Sequence, residues 1–404
     1  MTTIAQRTSK QTVMRPQTSL GVVGSVTGQI IRRTSSVFKA TRDTFKSNEI
    51  VSHNQSTGVS YGLKKTDGTL QGELSAGTYK MQIAALLRAA FATTATITAG
   101  TIAAAVGTPP VATFTDTGDG FLTAGFKIGM VVQASGFTGV STNSNSRYFW
   151  ITALTAGVMT GVFIDGTTQV NDAATESVTI AEVGKRCLPP LTGHTLQYLQ
   201  VEEWYGDLTD SDLFNDVVVA SIDFDLPATG NATLSSNYVG LSRVLSGTQV
   251  MGSPTAETTS SIMTASNGRL YVQGVSTPIT GIKISAMNSA AVTTAEIGSN
   301  SAGDVARGVI DVSGTFSAML RDQTLSALYD AETVVSIASL ISADETATPD
   351  FMAFTLGRVK ITSDTPDDNA AISRTYAFTA ELNSAGGAAL AWDKTILTVQ
   401  DSKA

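Results

Sequence analysis

Alternation of apolar and polar side chains at period two constrains this chain more than any other feature. Along 217–226, Val218, Ala220, Ile222, Phe224 and Leu226 are interleaved with Ser221, Asp223 and Asp225. Along 374–382, Tyr376, Phe378, Ala380 and Leu382 are interleaved with Thr375, Thr379 and Glu381. Such segments are half-buried strands, with one face on a core and one facing polar surroundings. Along 351–362 the parity shifts by one residue at Gly357, between Met352, Phe354, Leu356 and Val359, Ile361, which predicts a β-bulge. The blocks 187–260 and 305–400 each run as paired long strands.

At 404 residues the chain exceeds one ordinary core and implies two or three domains. Its hydrophobic fraction of 42% supports real cores, while only 15% of residues are charged, against about 25% in typical domains. Ser, Thr, Ala and Gly fill the difference. That profile suits a β-protein packing against copies of itself, because interface cores are depleted in charge. The net charge of −8 argues against a nucleic-acid binder, whose affinity comes from neutralising phosphates.

The charge is uneven. Arg7, Lys10, Arg15, Arg32, Arg33, Lys39, Arg42 and Lys46 make the first fifty residues basic, against Asp43 and Glu49. Residues 1–28 lack periodicity and are expected to form an extended arm, either solvated or docked on an acidic surface of a neighbouring subunit. The single cysteine, Cys187, excludes an intrachain disulfide or a zinc cluster and fits a reducing cytoplasm. The N-terminal region lacks the apolar core of a secretory signal. The Ala- and Thr-rich stretch 84–107 is interrupted by Arg88 and is not expected to enter a membrane.

Along 75–91, Tyr79, Ile83, Leu86, Leu87 and Ala90 fall on one helical face, with Ser75 or Thr78 available as N-cap. From 93 to 184 the chain turns rich in Thr, Ala, Gly and Val. Strands are expected at 127–134, 148–154 and 158–164 with glycine turns between them, so 93–186 is expected to be an inserted β-domain. Pro189-Pro190 marks its exit. Leu325, Leu328 and Tyr329 behind Asp322 predict a short second helix, and 286–304 is expected to be a long loop.

The chemistry on offer is thin. Gly58-Val59-Ser60-Tyr61-Gly62 matches a hydrolase nucleophile pattern, which needs a sharp strand-to-helix turn. Here a strand end and turn follow, and neither His53 nor His194 is suitably placed as a base. Asp207, Asp210, Asp212 and Asp216 lack the glycine and spacing of a calcium loop. The segment 116–120 is a turn. No phosphate loop, dinucleotide fingerprint or metal array is present, so no enzyme activity, cofactor or metal is expected.

One stretch is more specific. Arg33-Thr34-Ser35 with Thr44-Phe45-Lys46-Ser47-Asn48-Glu49-Ile50 precedes the helical segment, and Glu203-Trp204-Tyr205-Gly206-Asp207 follows the insertion. Their order and spacing resemble the major tail tube subunit of long, non-contractile-tailed (siphovirus-type) bacteriophages. The resemblance covers 30–91, 187–240 and 305–400. It implies a mainly β fold: a sandwich or barrel-like core at 29–92 and 187–404 with one flanking α-helix, the small β-domain at 93–186 being inserted. It implies a homohexameric ring whose sheets join into an inner barrel, stacked around the tape measure protein and bounded by terminator and distal tail proteins. The tube, assembled in the host bacterial cytoplasm, would conduct double-stranded DNA during genome ejection without membrane insertion of the subunit. On this footing Arg32, Arg33, Arg42 and Lys46 are inter-ring contact candidates, and Asp223 and Asp225 are lumen-lining candidates. The insertion is expected on the outside, as decoration, a weak glycan binder or an extra ring contact.

Two other readings share the composition. An extracellular β-rich adhesin or receptor-binding protein predicts a secretion signal and exposed aromatics. Another tail ring component on the same fold needs no self-stacking surface at both ends.

Overall fold

A computed structural model describes residues 4–24, 26–53, 55–93, 95–108, 110–368 and 371–404. The first elements are β1 (Lys10–Pro16), β2 (Gln29–Ile30), β3 (Ser35–Lys46), β4 (Val59–Glu73) and helix α1 (Lys80–Leu87). Seven strands then form a separate antiparallel sheet: β5 (Thr96–Ala99), β6 (Ile102–Val106), β7 (Ala112–Asp116), β8 (Val131–Ser135), β9 (Tyr148–Leu154), β10 (Val158–Phe163) and β11 (Val178–Glu182). The chain returns to the main body through β12 (Lys185–Cys187), β13 (Leu199–Tyr205), β14 (Asp210–Pro227), β15 (Thr233–Gly240) and β16 (Ser242–Ser246). Next come β17 (Arg269–Val272), β18 (Val275–Ser276), β19 (Gly281–Met287), β20 (Ala291–Val292), β21 (Val305–Ala306) and β22 (Asp311–Met319). Helix α2 (Thr324–Asp330), β23 (Val334–Ser342), β24 (Phe351–Asp367), β25 (Ser373–Ala380) and β26 (Thr398–Asp401) complete the chain.

Among the described residues the fold is mainly β, with two α-helices and a nearly closed, barrel-like main sheet. Eight strands follow one another by antiparallel pairing in the order β3-β4-β15-β14-β19-β22-β25-β24. Strands β14 and β24 are long enough to leave this run. Their first halves pair with β13 and β23 in a second layer, and the main core lies between the layers. Phe38, Leu70, Ile222, Phe224, Phe316 and Phe378 point inward from the eight strands, as the alternation predicts. Bulges accommodate the change of layer. Gly357 and Arg358 together face Ser336, which is the predicted bulge.

The helical segment is shorter than its periodicity suggests. Ser75 bridges Ile262 through the backbone and bonds the Thr78 hydroxyl at 2.7 Å, so neither caps the helix. Arg88 adopts a left-handed conformation (φ 57°) and ends it. Helix α2 begins behind Asp322, whose carboxylate accepts the Thr324 N–H at 2.8 Å. Ala286 belongs to β19, and the expected loop 286–304 carries β20, which pairs with β21.

The segment expected to be an arm is partly sheet. Strand β1 lies between β13 and β2, with Thr12, Val13 and Met14 all fully buried. A strand covered on both faces shows no alternation, which is why its sequence reads as aperiodic. Lys10 locks it in place, 2.7 Å from the buried Glu203, which also accepts the Ser36 hydroxyl at 2.7 Å.

The seven-stranded sheet between 96 and 182 has its own aromatic core, in which Phe149 meets Phe114 at 4.9 Å and Phe163 at 5.2 Å. It docks on the second layer, where Trp150 meets Tyr271 edge-on at 5.0 Å beside Leu340 and Phe351. The Gln400 side chain bonds the Val131 N–H at 2.8 Å and its carbonyl at 2.9 Å. Buried Lys127 donates to the carbonyls of Gly387, Ala388 and Leu390 at 2.6–2.8 Å.

Candidate assembly surfaces

The outward face of the eight-stranded run is polar and concave, enclosing a trough of about 750 Å3 lined by Gln71, Asp223, Asp225, Ser235, Lys283 and Thr379, among others. Both lumen candidates stand on it. Asp223 lies between Ser235 of β15 and Ser285 of β19. Asp225 faces Lys283 across the β14–β19 pair and binds it at 3.0 Å. Lys39 and Asp67 form a similar cross-strand pair at 3.1 Å between β3 and β4. With both partners half-exposed, each such pair contributes at most about 1 kcal/mol. The face is therefore charged but locally balanced, and the pairing of Lys39 and Lys283 with these carboxylates depends on strand neighbours that the sequence alone does not give.

The four basic candidates divide into two pairs. Arg32 and Arg33 are half-buried and hold their own chain together. Arg32 donates to the Ser260 carbonyl at 2.6 Å, and Arg33 donates to the Lys10 carbonyl. Burial lowers the pKa of Arg33, partly offset by Glu203. Arg42 and Lys46 are exposed on the far end of the β3–β4 hairpin, where Arg42 stacks over Tyr61 at 5.2 Å. That end also exposes Phe45 (64%), Val59 (58%) and Tyr61 (70%), a patch the alternation did not flag. Exposed apolar groups beside cations mark contact surfaces.

The sites of competing chemistry are accounted for. Ser60 lies exposed within β4, facing Phe45, with no helix behind it. Asp216 accepts bonds from Gln17 at 3.1 Å and Gly21 at 2.6 Å, while Asp210 and Asp212 are in β14. Asp116 closes its own turn with the Gly118 and Gly120 N–H groups at 2.9 and 2.8 Å. Among the described residues no cluster of His, Cys, Asp and Glu is arranged to hold a metal, and no helix is long and apolar enough to cross a membrane.

The eight-stranded run thus carries a polar hollow, an exposed hairpin and, among the described residues, open edges at β3 and at the end of β24. The family model of the phage tail tube protein matches residues 9–380. This chain belongs to the phage tail tube protein family, and it is a structural component of a virion tail, not an enzyme. No curated protein matches it.

Proposed function

We propose that the chain assembles head to tail into rings of six tail-tube positions, which stack into the hollow tail of a siphovirus-type phage. The observation that carries this reading is the pairing of a concave polar face with open strand edges on either side of it. An edge strand needs a partner or protection, and closing the sheet on itself supplies one. The concave face then becomes the lumen, with Asp223 and Asp225 on its wall. A wall of hydroxyls and balanced charge holds few phosphates by counterion release, so duplex DNA slides through without adhering. Before ejection the tape measure protein fills the same space, and the terminator and distal proteins close the ends of a stack built in the host cytoplasm. The seven-stranded sheet docks on the layer opposite the trough, which supports a position for it on the outside of the tube.

The β3–β4 hairpin supplies the inter-ring contact. Arg42 and Lys46 meet an acidic face of the next ring, and Phe45 and Tyr61 are covered there. Arg32 and Arg33 lie before β3, at the other end of the hairpin, and support its base through side-chain bonds to the Ser260 and Lys10 carbonyls. Replacing Arg42 and Lys46 together by Glu is expected to abolish tube elongation while leaving the circular dichroism spectrum and melting point of the subunit unchanged. Wild-type tube yield from that variant would refute the contact. Rings that form but never stack, from the unaltered protein, would instead indicate a single-ring tail component.

A further inference from the structure

The main body contains the same unit twice. The pairings β1–β2, β1–β13, β3–β4, β4–β15, β13–β14, β14–β15 and β14–β16 recur in the same chain order as β17–β18, β17–β23, β19–β22, β22–β25, β23–β24, β24–β25 and β24–β26. Helix α1 precedes β13 and packs on β14, and α2 precedes β23 and packs on β24. The seven-stranded sheet interrupts the first unit between α1 and β13.

The register repeats residue for residue. Asp225 faces Thr233 as Asp367 faces Ser373. One residue, Ala220 or Thr362, bulges at the same step of each long strand. Leu199 faces Val217 and Val201 faces Phe214, as Val335 faces Val359 and Ile337 faces Leu356, so a second bulge coincides too. Gly68 lies opposite Phe38 and Tyr238, and Gly314 lies opposite Ile284 and Phe378. Period-two pairing leaves no tolerance for slippage, so agreement at this level means the two halves are equivalent building blocks.

Within the eight-stranded run the two units are joined by β14 and β19, with Ser221 facing Met287 and Pro227 facing Gly281. The counterpart of this pairing has no partner among the described residues of the chain. The equivalent of β14 is the end of β24, and the equivalent of β19 is β3, at opposite ends of the eight-stranded run. We infer that the end of β24 pairs with β3 of the next copy of this chain, in the register of the β14–β19 junction, so that three copies fill the six positions of the ring. This inference rests on the tail tube reading above.

Carrying the register across sets Ser363 against Thr41, Thr365 against Lys39 and Asp367 against Val37. The contact is head to tail, which closes into a ring or runs on as a helix, and reuse of the β14–β19 register at the contact between copies would make all the junctions equivalent, as a closed ring requires. Chemistry agrees with the choice of partner. Where the inner junction carries Ile222, Phe224 and Leu226, the open edge carries Asp364, Pro366 and Asp368. Charge and proline keep such an edge from indiscriminate pairing. The waiting strand β3 brings Lys39, of opposite sign, which falls diagonal to Asp367 within cross-strand reach.

The dimensions fit one duplex. Three chains of eight strands make a barrel of twenty-four, with a backbone diameter of about 37 Å untilted and about 48 Å at about 40° tilt. Six chains would double this to about 95 Å at the same tilt, wider than a single sliding duplex requires.

The test oxidises assembled tubes of the Lys39→Cys/Thr365→Cys variant and reads the denatured product on a gel. Cys187 is buried, with its thiol pushed up to about 12, and stays silent. The inference predicts a ladder of one, two and three chains that stops at three, and three-fold averages in electron micrographs of wild-type tubes processed without imposed symmetry. A ladder running to six, with six-fold averages, overturns the copy number and leaves the tail tube reading intact. Three-fold tubes without crosslinking overturn the register. Absence of tubes or rings from the wild-type protein overturns the tail tube reading itself.

Discussion

Replacing Gly68 by Ala tests the close approach on which the sheet depends. A Cβ at Gly68 would sit 2.2, 2.5 and 2.7 Å from three atoms of the Phe38 ring, where ordinary carbon contacts are about 3.5–4.0 Å. The ring has nowhere to go, because it is held between Phe214 at 5.4 Å and Tyr238 at 5.2 Å. Overpacking of this kind costs about 1–3 kcal/mol, and a displacement above 1 Å places it near the upper end. Removing a glycine from a strand returns about 0.5–1 kcal/mol. The net loss is about 2 kcal/mol. For a chain of this length that lowers the melting point by about 2–3 °C, since unfolding entropy grows at about 2 cal/mol/K per residue. Urea denaturation of the unassembled subunit gives the same quantity through its midpoint. Gly58→Ala is the matched control: nothing lies within 4 Å of the added methyl, so its stability stays the same or rises by up to about 1 kcal/mol. A Gly68→Ala subunit as stable as the control would refute the packing argument.

Lys127→Met removes three charge-assisted bonds to the 387–390 carbonyls, and relief from burying the ammonium offsets part of the loss. Unfolding stability is expected to fall by about 2 kcal/mol, with faster amide exchange confined first to that loop. Burial raises the Asp401 carboxyl to about 6, against the pull of the Gly77 and Lys403 N–H groups. Its protonated form is the one the fold prefers, so this contribution is complete below the ordinary carboxylate range and is lost as pH rises through about 6. It amounts to about 3 kcal/mol, and Asp401→Asn is expected to flatten this loss of stability with rising pH between about pH 4 and pH 6. Asp223→Lys with Asp225→Lys is expected to give normal tubes and lower infectivity, because DNA adheres to the wall. Normal ejection of DNA from such particles would remove these residues from the lumen.

Alternation made the second half of the chain legible. The strand around Ile222 and Phe224 and the strand around Tyr376 and Phe378 lie where one face is buried and one is wet, and the parity change at Gly357 falls where β24 passes from burial on both faces to alternation. Strands buried on both faces were opaque. Thr12, Val13 and Met14 give no period, so β1 looked like an arm. Helix α1 buries Gln82, Ile83, Ala85, Leu86 and Leu87, which widens its apolar surface and blurs its ends. Side-chain roles followed the same rule. The stripe placing Asp223 and Asp225 on one face is a local property and could be read directly. The difference between Arg32, bound to Ser260, and Arg42, exposed beyond the core, depends on partners more than two hundred residues apart or on how far a hairpin projects. The doubled unit leaves no trace in the sequence for a related reason. Its two copies share register and topology while Ile222 is replaced by Asp364 and Leu234 by Arg374, so the equivalence lies in the pairing and not in the residues.

Electron microscopy of the purified protein, concentrated in moderate salt with and without an initiating tail complex, tests the central claim most directly. The account predicts hollow tubes of uniform width with a regular axial repeat and a lumen wide enough for one duplex. Discrete single particles under both conditions would contradict it.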